Sequence, residues 1–139
     1  MHSTETNDFL KYENEIYFFI KLSQKYFHVY QEHLKYYDQE NPLFTVLFGF
    51  FGDIVVETFI ETSEAEKKRI FGFVEFMMNS HDEYLSTATA TGLVESIVIN
   101  AENIDKTNVL LYEILSYCGH ETKEYIKSWS EYQGIKVLI

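Results

Sequence analysis

The sequence predicts an all-α fold: a single compact domain over residues 1–139, with about six helices, antiparallel neighbours and short turns. Three observations carry this. Apolar residues recur at three- and four-residue steps along most of the chain, the period of an amphipathic helix. Helix-start signatures of the form Ser-x-x-Glu stand before two of these runs, and glycines stand at the ends of two others. One proline and six glycines leave no segment with the composition of a linker.

The first element is marked by a stripe of Tyr12, Ile16, Phe19, Ile20, Ser23, Phe27, Tyr30, Leu34 and Tyr37. Lys11, Glu15, Lys25, Gln31, Glu32 and Lys35 fall outside it, which predicts one long helix over about residues 8–39. Asn41 suits a helix N-cap and Pro42 a first helical position. The segment PLFTVLFGFFGDIVVETFIE is apolar almost all round in its first half, as a buried central helix is. A strand over LFTVLFGFF is the alternative, because Phe, Val and Thr suit strands. Gly49 and Gly52 weaken a helix but let a neighbouring backbone come close.

Ser63 and Glu66 form a capping box, in which the hydroxyl accepts the Glu66 N–H and the carboxylate reaches back. The helix they start turns Ile70, Phe73, Val74 and Met77 inward. Ser80-His81-Asp82-Glu83 repeats the signature and starts a fourth helix. A fifth carries Leu110, Leu111, Ile114, Leu115 and Cys118, with Gly119 as a left-handed cap. A sixth carries Tyr125, Ile126, Trp129 and Tyr132 and stops at Gly134. The apolar tail IKVLI reads either as a short docked strand or as a frayed end.

The stretch STATATGLVES lies inside the fourth helix. Its Thr-Ala alternation hints at a strand, but alanine favours helix, and Leu93, Ile97 and Ala101 continue at helical spacing. Ala88, Gly92 and Ser96 make a ridge of small residues suited to close helix approach. Between Leu85 and Ala101 the only charge is Glu95. A carboxylate in such a helix needs a hydrogen-bonding partner, a counter-charge or a proton. It is either a satisfied structural group, held by a Tyr or a Lys, or a polar group lining a pocket.

No arrangement of residues spells out a reaction. There is no His-Glu-x-x-His, no Glu three residues before a His, no Gly-x-Ser-x-Gly and no phosphate-binding glycine loop. His28 and Glu32 share a helix face, where a surface pair explains them without a metal. Cys118, the one cysteine, falls on an inner stripe. The expectation is a non-enzyme without cofactor or metal. The N-terminus MHSTETND is wrong for a signal peptide, and no apolar run is long enough to span a bilayer, so a cytoplasmic protein away from membranes is expected.

Charge is the strongest functional signal. Asp and Glu number 22 against 11 Lys and Arg, a net charge of −11. This disfavours nucleic acid as a partner, since affinity for phosphates rests on cations. It favours attraction to a basic protein. Asp53, Glu57 and Glu61 form an acidic stripe at four-residue steps, and with Asp82 and Glu83 they are the candidate contacts. Tyr17, Tyr36 and Tyr84 fall off the core stripes, where tyrosines serve as interface anchors.

The second half of the chain, GLVESIVINAENIDK and then LLYEILSYCGHETKEYIKSWSEYQG, resembles a group of small bacterial helical domains. The matching positions are Glu95, Asn100, Leu110, Leu111, Gly119, Glu121, Thr122, Tyr125, Trp129 and Gly134. His120 departs from the pattern, which more often has Pro after the glycine. Such domains are regarded as immunity proteins carried beside polymorphic or contact-dependent growth-inhibition toxins. The resemblance implies a protein that binds and neutralises a cognate toxin domain, and the charge suits a basic, nuclease-type toxin. The alternative is a small-ligand or regulatory domain with a pocket beside Glu95.

Overall fold

The computed structural model describes residues 11–36 and 44–134. Every regular element among them is helical. Helices α1 (Glu13–Ile20) and α2 (Gln24–Tyr36) precede α3 (Phe44–Glu57), which ends in a 3-10 turn (Phe59–Glu61). Helix α4 (Glu64–Met78) comes next. Then α5 (Glu83–Ala88), a π-helical segment (Thr89–Val94) and α6 (Glu95–Ile104) run on as one rod. Helices α7 (Val109–Leu115) and α8 (His120–Gln133) close the described chain. With the rod counted once, the described residues hold seven helices, because the first predicted helix is two.

That first helix breaks at Lys21–Ser23. The Lys21 N–H reaches the Tyr17 carbonyl at 3.0 Å and the Leu22 N–H reaches Phe19 at 2.9 Å, so the last turn tightens and the chain restarts at Gln24. The break shifts the inward stripe by one residue. Tyr12, Ile16 and Phe19 are buried as expected, but beyond the break Tyr26 is buried at 3% exposure while Phe27 stands out at 37%. A 3.6-residue period carried unbroken through residues 21–23 puts the wrong residues of α2 on the inner face. The expected ends of this helix, Tyr37, the Asn41-Pro42 cap and the tail at 135–139 lie outside the described residues.

Helix α3 is central and helical, so the strand alternative does not form. Phe44, Leu47, Phe48 and Phe51 are fully buried, and Phe44 stacks on Tyr12 with ring centroids 4.9 Å apart. Phe19 lies 5.0 Å from Phe51, and Phe18 stacks on Phe73 at 4.1 Å. Each such phenyl ring removed from water contributes on the order of 1.5–3 kcal/mol.

The rod α5–π–α6 packs along α3, and its π segment also touches α4 and α8. The predicted ridge makes this contact. A Cβ on Gly92 would run into the Thr45 carbonyl and lie 3.2 Å from the Phe48 Cβ. A Cβ on Gly52 would lie 2.7 Å from the Leu93 carbonyl. Two backbones therefore pass where side chains would keep them apart. The alternating threonines turn their hydroxyls onto their own helix: Thr89 donates to the Leu85 carbonyl and Thr91 to Thr87, each at 2.8 Å. The Glu95 N–H then bonds to Ala90, five residues back.

The caps mix agreement and correction. The Ser63 Oγ accepts the Glu66 N–H at 3.1 Å, but the Glu66 carboxylate engages Arg69 instead of reaching back. In the second signature the cap is Asp82, whose carboxylate accepts the Leu85 N–H at 3.2 Å, while the Ser80 hydroxyl accepts the Asp82 N–H. Asp outcompetes the serine two residues earlier because its charge also favours a helix N-terminus. Gly119 does not cap α7 in a left-handed turn. Its φ of −81° and ψ of −179° are extended, and it is the N-cap of α8. Gly134 does cap α8, with φ 78°. On α8 Thr122, Ile126 and Ser130 are buried, the expected Tyr125 and Trp129 pack half-buried against the core, and Tyr132 is 87% exposed.

Candidate functional site

The five acidic candidates do not form one site. Asp53 is held between helices, where its Oδ1 accepts from the Ser96 hydroxyl and the Asn100 amide. The Ser96 hydroxyl shares its one proton with the Gly49 carbonyl, 2.8 Å away. Helix α3 stops at Glu57, so Asp53, Glu57 and Glu61 do not continue as one helical stripe, and Glu61 sits in the 3-10 turn. Asp82 caps α5, accepts the Tyr12 hydroxyl at 2.8 Å and lies 3.6 Å from Lys11. Those contacts, led by the Tyr12 bond, hold its carboxyl below the ordinary value. Glu57, Glu61 and Glu83 remain exposed to solvent.

Glu95 has its partner in Tyr125, whose hydroxyl donates to Oε2. Both are half-buried. Burial first, and the adjacent carboxylate second, push the Tyr125 phenol far above its usual range. The Tyr125 hydroxyl is thus the partner that a carboxylate in this helix needs. The ridge beside it, Ala88, Gly92 and Ser96, faces α3 and leaves no cavity there among the described clefts, all of which are lined by other residues.

Sequence reasoning missed the most connected carboxylate. Glu75 projects from α4 to the start of α8, where it accepts the Glu121 N–H at 2.9 Å, the Thr122 N–H at 3.0 Å and the Thr122 hydroxyl at 2.7 Å. Asn79 adds a fourth bond at 2.9 Å. Burial raises its carboxyl, but these four donors outweigh burial and hold it below the ordinary 4.5. It caps α8 from another helix and supplies the negative charge that a helix N-terminus favours. Gly119 has no side chain because a Cβ would fall on the Glu75 side chain. No local pattern announces a cap that comes from more than forty residues away in sequence. The one signal was Thr122, a polar residue on the inner face of an otherwise amphipathic helix.

The surface of α4 carries two adjoining hollows of about 470 and 590 Å³ that share Gly72 and Glu75. Another cleft, of about 410 Å³, lies at the α1–α2 break and includes Tyr26, Glu61 and Glu66. Among the described residues no group of three His, Cys, Asp or Glu is placed to hold a metal, and His28 and Glu32 lie exposed on α2. Cys118 is buried, its thiol donates to the Ile114 carbonyl at 3.6 Å, and burial pushes its pKa up to about 12. A thiol held so far from ionisation is no nucleophile at neutral pH. No helix among the described residues is long and apolar enough to cross a membrane.

The family described as Domain of unknown function (DUF7674) matches residues 18–134, most of the chain and well beyond its second half. Its description assigns no activity, ligand or partner. Comparison with curated proteins and with solved structures returns no match.

Proposed function

The chain belongs to this family of unknown function, and we propose that it acts as a cytoplasmic immunity protein, neutralising a basic, nuclease-type toxin domain by charge and shape. The observation that supports this is the acidic charge left over once the fold is satisfied. The structure absorbs Asp53, Glu75, Asp82 and Glu95 in hydrogen bonds. Glu57, Glu61 and Glu83 stay in solvent on a chain of net charge −11. A toxin that binds phosphates presents cations, and such a surface attracts it over many ångströms. The alternative, a ligand pocket beside Glu95, draws no support from the described clefts, which other residues line.

The test is binding to the protein encoded immediately upstream. The reading expects tight 1:1 binding, an association rate that falls steeply with added salt, and protection of cells that express the toxin. Glu57→Gln, Glu61→Gln and Glu83→Gln combined slow association by about tenfold and cost at most about 1 kcal/mol of stability, from Glu83 in the first turn of α5. An upstream-encoded protein that does not bind removes the reading, as does an association rate indifferent to salt.

A further inference from the structure

Asp53 gives the fold only one of its two carboxylate oxygens. Oδ1 accepts from the Ser96 hydroxyl and the Asn100 amide. Oδ2 takes none of the hydrogen bonds among the described residues and reaches solvent. The Asn100 amide nitrogen is pinned a second time, to the Ser96 carbonyl at 2.9 Å. Its Oδ1 likewise takes no bond among the described residues and reaches solvent. Two acceptors on packed helices are thus oriented by the fold and left unused by it.

No positive charge answers them. Helices α3 and α6 hold no Lys, Arg or His, and their acids are Asp53, Glu57, Glu95 and Glu102. Tyr125 takes Glu95. Among the described residues no cation lies within ion-pair distance of Asp53 or Glu57. The partners of Asp53 are a hydroxyl and an amide, both neutral, so its charge is oriented without being cancelled. Apolar surface lies on the same face. Phe50, Asp53 and Glu57 follow at three- and four-residue steps and share one side of α3. Phe50 is 44% exposed, although Phe48 and Phe51 near it are fully buried. Its ring meets His33 edge to face, with centroids 6.2 Å apart. Ile99, next to Asn100 on α6, is 45% exposed.

We propose that this face of α3 and α6 receives an arginine of the protein partner, its guanidinium on Asp53 Oδ2 and Asn100 Oδ1 and its plane against Phe50. The proposal deepens the immunity reading and rests on it for a basic partner. A guanidinium offers a fork of N–H groups to paired acceptors and stacks on an aromatic face; an ammonium has neither the fork nor the plane. Glu57, one turn along α3, adds charge that draws the cation in. A second copy of this chain does not supply the group. The sequence holds one arginine, Arg69, and Glu66 engages it.

The test uses the full chain and three small probes: the Nα-acetyl amides of arginine, of lysine and of citrulline, the neutral isostere of arginine. The arginine probe should shift the side-chain amide signals of Asn100 and the backbone amide signals of Phe50 and Asp53. At the same concentration the lysine probe shifts them less, and the citrulline probe leaves them in place. Asp53→Asn keeps an oxygen for Ser96 and Asn100 but sets an amide where Oδ2 stood. It weakens the arginine probe by at least about tenfold, the loss that follows removal of a charged hydrogen bond. Phe50→Ala, at an exposed site, weakens it by about threefold without touching the carboxylate. Equal shifts from the lysine or citrulline probe overturn the proposal. So do shifts confined to other residues, no shift at all, or full binding to either variant. The two readings fail separately. An upstream-encoded protein that binds Asp53→Asn and Phe50→Ala at full strength sinks the arginine site and leaves immunity standing. A chain that takes the arginine probe at Asn100 but ignores the upstream-encoded protein keeps the site and loses the immunity reading.

Discussion

Glu75 and Thr122 are joined twice: the carboxylate accepts the Thr122 backbone N–H at 3.0 Å and its hydroxyl at 2.7 Å. Through this pair α4 fixes where α8 begins. A cap supplied by the residue next to a helix orders one turn; a cap supplied by another helix also sets how the two helices meet.

Glu75→Ala therefore costs about 2 kcal/mol, since it strips partners from two backbone N–H groups at once. Stability also depends on pH with a definite sign. The folded carboxyl lies below its ordinary value, so its contribution is complete above the unfolded value and is lost as pH falls through the folded one. Urea midpoints measured through the acid range should fall more steeply for wild type than for Glu75→Gln. Parallel curves would show that the carboxylate charge contributes nothing.

Two glycines on the α3–rod contact respond oppositely to alanine. Gly92→Ala drives a methyl into the Thr45 carbonyl and destabilises by about 1–3 kcal/mol. Gly49→Ala places its methyl 3.6 Å from the Gly92 carbonyl, an ordinary contact, and stabilises α3 by up to about 1 kcal/mol. Thermal unfolding of both variants checks the pair. Similar Tm shifts would mean that the two backbones do not touch at Gly92.

The Asp53 carboxylate and the Asn100 amide are directly bonded across α3 and α6. A double-mutant cycle with Asp53→Ala and Asn100→Ala should give a coupling of about 0.5–3 kcal/mol in unfolding free energy. Zero coupling would free Asp53 to serve as the surface charge that its position in the sequence first suggested.

Alkaline stability rests on buried phenols. Burial pushes Tyr26 up to about 12, with Thr58 pulling the other way and Glu66 adding to the rise. The unfolded phenol ionises near 10. Its stabilising contribution is therefore complete below about pH 10 and is lost as pH rises through the folded value. Tyr26→Phe flattens the alkaline limb of the stability curve. Tyr125→Phe does the same and also removes the Glu95 bond, at about 1 kcal/mol near neutral pH. Chemical denaturation across the alkaline range, with tyrosinate absorbance measured in parallel, checks both.

The sequence by itself determined the helical class, the central place of the segment 86–96, the buried character of α3, most of the inward face of α4 (Ile70, Val74 and Met77, though not Phe71), and the Ser63 and Gly134 caps. Each is written in a window of a few residues, where period and capping chemistry act. It also determined that Glu95 needed a partner, though not that the partner is Tyr125. The break after Ile20, the cap on α8 and the fate of Asp53 were decided only by the tertiary structure. A carboxylate reads the same in sequence whether solvent or an amide from another helix receives it, and the partners of Asp53 and Glu75 lie more than forty residues away along the chain. Packing decided Gly119 too: its missing side chain makes room for Glu75, a reason that exists only once α4 and α8 have met.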